Sequence, residues 1–214
     1  MEQAVVIVGT GAQAKYALEI FHLRQMPVCG LIALPGEKEM TGFDGAAVLG
    51  AFDALPSLYR KYHEPLVILA MSSNIRKREI CQSLAALAPG YAQAIHPAAV
   101  VARTAEIGHG VIINAGAVVQ PFARVGHHVM VHAGAIIEHD CVVSDFANLA
   151  PLATLCGHVK VGQCSTVYAG AVIIPSVHLG EACIVGAGAV VLADVADGMT
   201  VAGVPARQLL PPQG

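Results

Sequence analysis

Residues 111–146 read VIINAGAVVQPFARVGHHVMVHAGAIIEHDCVVSDF, and an apolar residue recurs in this stretch every six positions. The spacing extends in both directions, because Val, Ile or Leu occupies every sixth position from Ile95 to Val191. Four residues after each of them comes Ala, Val, Cys or Ser. A period of six matches neither the 3.6-residue turn of an α-helix nor the two-residue alternation of a strand. It predicts a β-helix whose coil has three short sides, each with one large and one small inward residue.

Three hexads complete one coil, so residues three hexads apart are expected to stack on neighbouring coils about 4.8 Å apart. The hexads between Ile95 and Val191 therefore predict between five and six coils. The periodicity by itself leaves the hand of the coil open.

Before residue 95, strand-like and helix-like segments alternate. The predicted strands cover residues 4–9, 27–34 and 66–71. The predicted helices cover residues 12–25, 52–62 and 74–87, and Asn74 is the predicted N-cap of the last one. A loop is predicted after the second strand and runs through Gly45. Alternation of this kind is typical of a parallel α/β domain. The sequence therefore predicts an α/β, Rossmann-like domain over residues 1–94 and a β-helix over residues 95–214.

The composition argues against several classes of function. Of the 214 residues, 55% are hydrophobic and 13% charged, and the formal net charge is −3. Gly, Pro, Asn or a charged residue interrupts every apolar run before the roughly 18 residues that a membrane-spanning helix needs. The weak negative charge argues against nucleic acid as a partner. Six scattered cysteines without a CxxC motif predict reduced thiols in a cytoplasmic protein.

A polar motif, Glu138-His139-Asp140-Cys141, lies near a predicted corner of the coil. His139 follows the inward Ile137 by two residues and stands between two carboxylates. A neutral imidazole can take a proton from an attacking nucleophile, and a neighbouring carboxylate can orient the ring. The motif predicts His139 as a general base, with one of the two adjacent carboxylates as its partner. A solvated histidine at a turn is the plainer alternative.

Other histidines leave a metal site open. His127 and His132 are five residues apart, which resembles the spacing of the metal-binding histidines in the γ-class carbonic anhydrases. Zinc catalysis needs three protein ligands and one open position. His96 or His109 would have to supply the third ligand, and structural or solvated histidines are the simpler interpretation.

Four features occur together in this chain: the hexads, an α/β domain in front of them, the Glu-His-Asp-Cys motif, and the closing segment VAGVPAR at 201–207. In this combination the chain resembles the family of sialic acid O-acetyltransferases and bacillosamine N-acetyltransferases, which are left-handed β-helix hexapeptide acyltransferases that modify bacterial surface sugars. The resemblance implies acetyl-CoA as acetyl donor and an amino or hydroxyl group of a sugar, expected to be nucleotide-linked, as acceptor. It also implies a cytoplasmic homotrimer with sites between subunits and no metal.

The resemblance assigns roles within the β-helix. It implies His139 as the base, Asp140 as its partner, and Asn148, Ala169 and Ala187 as contacts for acetyl-CoA. Two positions depart from the family pattern: His132 stands where the family usually has Asn, and Asn148 stands where it usually has His. Asn148 can form hydrogen bonds but cannot titrate.

A glycine-containing turn, Gly9 to Ala14, follows the first predicted strand and opens a helix. Such a turn can present backbone N–H groups to phosphate or sugar oxygens. The acidic residue that contacts the ribose of NAD is missing from residues 31–35, which argues against NAD. The resemblance implies a substrate site here, formed by Gly11, Ala12, Gln13 and Ser72. It departs from the family in two ways, since Ala33-Leu34 replaces an acidic pair and Gln13 replaces a histidine.

Three alternatives stay open at this point: a γ-carbonic-anhydrase-like metal-dependent hydratase, an O-acetyltransferase that acts on free sialic acid, and a scaffold that binds no CoA.

Overall fold

The computed structural model describes residues 3–37 and 40–209. The chain divides into two compact units, Met1–Pro97 and Ala98–Gly214. The division therefore lies three residues beyond the boundary at 94 that the change of sequence pattern suggested. None of the helices in the described part of the chain combines the length and the apolar character needed to cross a membrane.

The first unit is a five-stranded sheet with three α-helices. Its strands are β1 (Val5–Val8), β2 (Val28–Ala33), β3 (Gly42–Phe43), β4 (Ala46–Ala51) and β5 (Leu66–Leu69), followed outside this sheet by β6 (Ala94–Ile95). Its helices are α1 (Ala12–Leu23), α2 (Leu55–Lys61) and α3 (Asn74–Ser83), with short 3₁₀ turns at Phe52–Ala54 and Ala85–Leu87. The strand order is β3-β4-β2-β1-β5, parallel throughout except for the β3–β4 hairpin.

The apolar runs form strands because this sheet is covered by side chains on both faces. Every residue of β1 is fully buried. A parallel strand buried on both faces needs a continuous apolar run rather than an alternating one. Helix α1 packs Ala14, Ala17, Leu18 and Phe21 into the core, a spacing of three and four residues that places them on one face.

The first unit differs from its sequence prediction in two local features. The hairpin Gly42–Ala51 occupies part of the predicted loop and continues beyond it, and β4 pairs in parallel with β2. The third helix begins at Asn74, the first residue of the predicted range, but its N-cap is Ser73, whose hydroxyl accepts a hydrogen bond from the backbone N–H of Arg76 at 3.3 Å. Asn74 is thus the first helical residue and not the cap.

The second unit is built from two-residue strands that begin every six residues. They are β7 (Val100–Val101), β8 (Glu106–Ile107), β9 (Ile112–Ile113), β10 (Val118–Val119), β11 (Arg124–Val125), β12 (Met130–Val131), β13 (Ile136–Ile137), β14 (Val142–Val143), β15 (Asn148–Leu149), β16 (Thr154–Leu155), β17 (Lys160–Val161), β18 (Thr166–Val167), β19 (Val172–Ile173), β20 (His178–Leu179), β21 (Ile184–Val185) and β22 (Val190–Val191). The chain closes with β23 (Thr200–Ala202) and β24 (Arg207–Gln208).

These strands form the three sides of a parallel β-helix. Each pairs with the strand three hexads further along the chain, as Val119 pairs with Ile137 and Ile137 with Leu155. The last coil is shorter by two residues, because Val185 pairs with Val201. The predicted coil is therefore confirmed for the hexads, and the repeat ends where the strict spacing stops after Val191.

The interior follows the predicted alternation of large and small side chains. From Ile113 to Val191 every sixth residue is buried, and so is the small residue four positions later, as in Ile137 and Cys141. Fully burying one such aliphatic side chain contributes about 1.5–3 kcal/mol. The regular sequence thus makes a continuous core along the axis.

Between the sides, one residue in each hexad turns the chain. Every sixth residue from Gly110 to Gly188 has a positive φ, including Asp140 at 59° and His158 at 62°. Non-glycine residues adopt this left-handed conformation only at a cost of about 1 kcal/mol or more. Consecutive turns lie at three different corners, so the turn residues 140, 158 and 176 share one corner, and 134, 152, 170 and 188 share another.

Candidate active site

His139 and Asp140 form a hydrogen-bonded pair at one corner of the β-helix. His139 Nδ1 lies 2.8 Å from Asp140 Oδ2, and the two side chains are 52% and 42% exposed. Asp140 is the left-handed turn residue, and the inward Ile137 anchors the start of the turn in the core. The carboxylate therefore holds Nδ1, which leaves Nε2 as the ring nitrogen for a reacting proton.

The neighbouring carboxylate of Glu138 plays a different part. Its Oε2 accepts a hydrogen bond from the backbone N–H of His139 at 3.4 Å. Among the described residues, Asp140 is the one whose carboxylate reaches the His139 imidazole within hydrogen-bond distance. Of the two acidic neighbours that the motif offered, the geometry selects Asp140.

Cys141 completes the motif but is not a nucleophile. Its side chain is buried, its Sγ–H donates to the carbonyl of Cys156 at 3.0 Å, and burial raises the pKa of the thiol to about 11. A thiol protonated at neutral pH cannot attack a thioester, since the thiolate is the reactive form. The cysteine fills the small inward position of its hexad.

The next coil adds two residues to this corner, and both were missed by sequence reasoning. His158 Nε2 lies 3.9 Å from Asp140 Oδ2, and the rings of His158 and His139 are perpendicular with centroids 5.1 Å apart. Gly157 is buried directly beside the His139 ring. The period of the coil could have found them, because His158 stands three hexads after Asp140, and Gly157 three hexads after His139.

The three positions expected to contact acetyl-CoA lie elsewhere on the same β-helix. Ala169 and Ala187 are exposed, precede the turn residues of another corner, and stack on adjacent coils. Asn148 lies in β15 on the side that leads to that corner. Its side-chain oxygen is buried and has no hydrogen-bond partner among the described residues. Within one chain, the structure does not bring these residues to the corner of His139.

The histidines of the zinc alternative lie at the third corner or within a side. The rings of His109 and His127 stack with centroids 3.7 Å apart, and the backbone N–H of His127 donates to Asp145 at 2.7 Å. Burial, followed by the nearby His127, lowers the pKa of His109. Over the described residues, one group of three side chains could share a metal ion, and it is His139, Asp140 and His158. None of the histidines of the zinc alternative, His127 and His132 with His96 or His109, belongs to that group.

In the first unit, the four predicted substrate residues line one cavity. Gly11, Ala12, Gln13 and Ser72 surround it together with residues that follow β2 and open α3. The chain turns sharply here because Gly9 has φ 121°, and a Cβ at this position would collide with the carbonyl oxygen of Ala70. Glycine is therefore required for β1 and β5 to approach each other at the mouth of the cavity.

Glu37 is a cavity residue that the sequence did not reveal. Its Oε2 accepts hydrogen bonds from the Leu34 N–H at 2.8 Å and from both the N–H and the hydroxyl of Thr10 at 3.0 Å. Its Oε1 accepts from the Thr10 N–H at 3.1 Å. Residues 31–35 contain no carboxylate, but Glu37 brings one to this position because the turn after Leu34 folds back over the glycine loop.

Two further side chains give the cavity its polarity. The side-chain oxygen of Gln13 is buried and has no hydrogen-bond partner among the described residues. Arg76 reaches across from α3, and its guanidinium donates to the carbonyl of Pro35. The cavity therefore contains a carboxylate, an amide with unused hydrogen-bonding capacity and a guanidinium, which together suit a polar ligand.

No family model and no curated protein matches the chain. Among solved structures, it is similar to PerB from Caulobacter crescentus in complex with CoA and GDP-perosamine, with 30% identity over 97% of each chain and a TM-score of 0.91. A histidine variant of GDP-perosamine N-acetyl transferase from the same organism matches at 29% identity, 97% of each chain and a TM-score of 0.92. The acetyltransferase domain of PglB from Neisseria gonorrhoeae, in complex with acetyl coenzyme A, matches at 31% identity over 98% of this chain and 100% of that chain, with a TM-score of 0.89.

This chain belongs to the bacillosamine-type sugar N-acetyltransferases. The likeness runs through both units, and not through the hexads alone. Membership of this family confirms the resemblance that the combined motifs indicated, and it makes the protein a hexapeptide acyltransferase. The hydratase and scaffold alternatives are thereby set aside.

Proposed function

We propose that this member of the sugar N-acetyltransferase family transfers the acetyl group of acetyl-CoA to the amino group of a nucleotide-linked sugar used in bacterial surface glycans. The observation that carries the proposal is the exposed His139–Asp140 pair, with 2.8 Å between Nδ1 and Oδ2. The relatives support it, since PerB is in complex with CoA and GDP-perosamine and the PglB domain with acetyl coenzyme A.

In the proposed reaction, His139 acts as a general base. The sugar amine attacks the thioester carbonyl, and Nε2 takes a proton from the nitrogen as the C–N bond forms. The tetrahedral intermediate collapses with cleavage of the C–S bond, and the imidazolium returns the proton to the leaving thiolate. Asp140 keeps the Nδ1–H oriented and stabilises the transient positive charge on the ring.

The first unit is proposed to be Rossmann-like and to bind the nucleotide part of the substrate. Gly11, Ala12, Gln13 and Ser72 line its cavity, whose polar groups suit such a ligand. Oε2 of Glu37 accepts three hydrogen bonds and Oε1 one, so Oε1 retains capacity for a hydroxyl or N–H of the ligand.

Asn148, Ala169 and Ala187 are proposed to contact acetyl-CoA. Asn148 lies in β15 on the side that leads to the corner of the two alanines, where its side-chain NH₂ could donate a hydrogen bond to a carbonyl of the pantetheine arm. The two alanines stack along a corner whose turn residues include Gly170 and Gly188, where the backbone is open to a long ligand.

A homotrimer is proposed because these residues and His139 lie at different corners of one coil. His139 precedes the turn at Asp140, whereas Ala169 and Ala187 precede turns at a second corner. Side-by-side packing of left-handed coils would bring the two kinds of corner together across a subunit boundary. Sedimentation equilibrium would test this, since a monomer at assay concentrations that still turns over would contradict a shared site. Six free cysteines support a location in the cytoplasm.

The test is release of CoA from acetyl-CoA in the presence of UDP-, GDP- and dTDP-linked amino sugars. Turnover with one of them, and an amide in the product by mass spectrometry, would support N-acetylation and name the nucleotide. Turnover only with free sialic acid would favour the O-acetyltransferase alternative, and silence with every acceptor would contradict the proposal.

His139 is tested in the same assay by His139→Ala. Loss of a general base typically lowers kcat by at least about 10²-fold. Because the side chain is exposed, circular dichroism and the melting temperature are expected to stay close to those of the wild type. Near-full activity in this variant would remove His139 from the mechanism.

A further inference from the structure

Gly157 lies one coil beyond His139, in the space next to its imidazole. A Cβ placed on Gly157 would lie 2.7 Å from both Nε2 and Cε1 of His139 and 3.4 Å from Cδ2. These are the three nearest atoms to that Cβ, and all of them belong to one ring. Real Cβ contacts do not become as short as 2.7 Å, so the imidazole occupies room that any other residue would fill.

The backbone does not require glycine here. Gly157 is not among the residues with a positive φ, and the turn residue of its hexad is the following His158. The equivalent position, directly before the turn, has a side chain in the other hexads between Ala115 and Ala187. Examples are Ala133, Pro151, Ala169, Pro175 and Glu181. Neither the coil nor its turn therefore explains the glycine, whereas the His139 ring does.

We propose that Gly157 is a positioning residue for the acyl transfer, because its missing side chain makes room for the His139 imidazole and keeps Nε2 accessible to the acceptor amine. This inference rests on the proposed role of His139 as base. A side chain at 157 would crowd Nε2 and Cε1 equally, and Nε2 is the nitrogen that the pairing of Nδ1 with Asp140 leaves for the reaction.

The consequence of a methyl group at 157 can be derived from the same contacts. The ring is 52% exposed, so it can swing into solvent at little cost to the folded state. In doing so it must leave the position in which Nδ1 and Asp140 Oδ2 are 2.8 Å apart. A displacement of about 1 Å in a reacting group can cost about 10²-fold in rate. Gly157→Ala is therefore expected to lower kcat by about 10²-fold while the KM for acetyl-CoA changes little.

A double-mutant cycle separates this effect from general damage to the coil. Gly157→Ala, His139→Ala and the double variant are compared with the wild type for kcat, KM and melting temperature. If Gly157 acts through the imidazole, adding Gly157→Ala to His139→Ala leaves the residual activity unchanged. An equal fold-loss in both backgrounds, or near-wild-type kcat in Gly157→Ala, would overturn the proposal.

The cycle stays informative even if Gly157→Ala folds poorly. The clash is with a side chain that His139→Ala removes, so the double variant should then melt at a higher temperature than Gly157→Ala alone. A double variant as unstable as the single one would place the clash in the backbone and contradict the inference. Wild-type activity of His139→Ala would instead contradict the proposed base, and the two failures are thereby distinguished.

Discussion

Replacing Asp140 by asparagine removes one negative charge beside the His139 imidazole and leaves the turn intact. Asp140 has φ 59°, a left-handed conformation in which asparagine is enriched among non-glycine residues. Asparagine also keeps the size of the side chain and an oxygen that can accept a hydrogen bond from Nδ1. Asp140→Ala would add backbone strain at the same position, so asparagine is the variant that isolates the charge.

The magnitude follows from the separation and exposure of the pair. Nδ1 and Oδ2 are 2.8 Å apart, and the two side chains are 52% and 42% exposed. Unit charges centred about 4 Å apart attract by about 1 kcal/mol in water. Measured exposed pairs contribute roughly 0.2–1 kcal/mol. We therefore expect the carboxylate to stabilise the imidazolium that forms in the transition state by about 0.5–1 kcal/mol.

The direction of the change in rate follows directly. Without the carboxylate, the ring that takes the proton in the transition state is less stabilised, so the barrier rises. Asp140→Asn is therefore expected to lower kcat by roughly two- to fivefold, the factor that corresponds to about 0.5–1 kcal/mol of lost stabilisation.

The assay is kcat for CoA release with saturating acetyl-CoA and acceptor, and Glu138→Gln is the matched control. Glu138 is as close in sequence, but its carboxylate accepts from the backbone N–H of His139 and not from the ring. Its kcat should therefore fall less than that of Asp140→Asn. If Asp140→Asn keeps the wild-type kcat, or if Glu138→Gln gives the larger loss, the assignment of Asp140 as the partner of the base is refuted.

Two further predictions concern other parts of the chain. Glu37→Gln puts an amide where the Thr10 N–H and hydroxyl now donate to a carboxylate. The KM for the nucleotide sugar should therefore rise at least about fivefold, while the KM for acetyl-CoA stays unchanged. Equal effects on both KM values would contradict a local role of Glu37. Because burial and His127 lower the pKa of His109, the unfolded state binds this proton more readily. Stability should thus be lost as pH falls from about 6.5 through the folded-state pKa of His109. His109→Asn should flatten the melting temperature between pH 7 and 5, and parallel curves for the two proteins would contradict this.

The β-helix could be predicted from the sequence almost residue by residue. Each apolar residue of the hexads is the second residue of a strand, because one large side chain per side must face the axis. The end of the repeat could not be predicted as well. The pairing of Val185 with Val201 shortens the last coil by two residues, and this depends on how the final strand closes the core rather than on the period.

The first unit was less predictable where its structure depends on tertiary pairing. The segment Ala46–Ala51 has little intrinsic strand character, and it becomes β4 because β2 offers it a parallel partner. Glu37 could not be predicted for a related reason. The sequence indicates an acidic residue only directly after β2, near Ala33, whereas the turn at Pro35-Gly36 brings Glu37 back to the glycine loop.

In the candidate site, the length of the coil decides which residues are close in space, and closeness along the sequence does not. Asn148 is only nine residues from His139 but lies on the side leading to another corner, since nine residues cover half a coil. Gly157 and His158 are twice as far from His139 along the chain, yet a full coil brings both of them back beside its ring.

The corner of a β-helix is a suitable place for this chemistry because its inward positions and its turn positions have different roles. The inward residues Ile137 and Cys141 hold the coil together, while the turn between them projects His139 and Asp140 outward. The side chains in the turn can therefore differ from coil to coil without disturbing the core. Their neighbours, however, are fixed by the length of the coil, so the proposed base His139 restricts the size of residue 157. We infer that in such a fold a reactive side chain is best recognised together with the residue one coil away that leaves room for it.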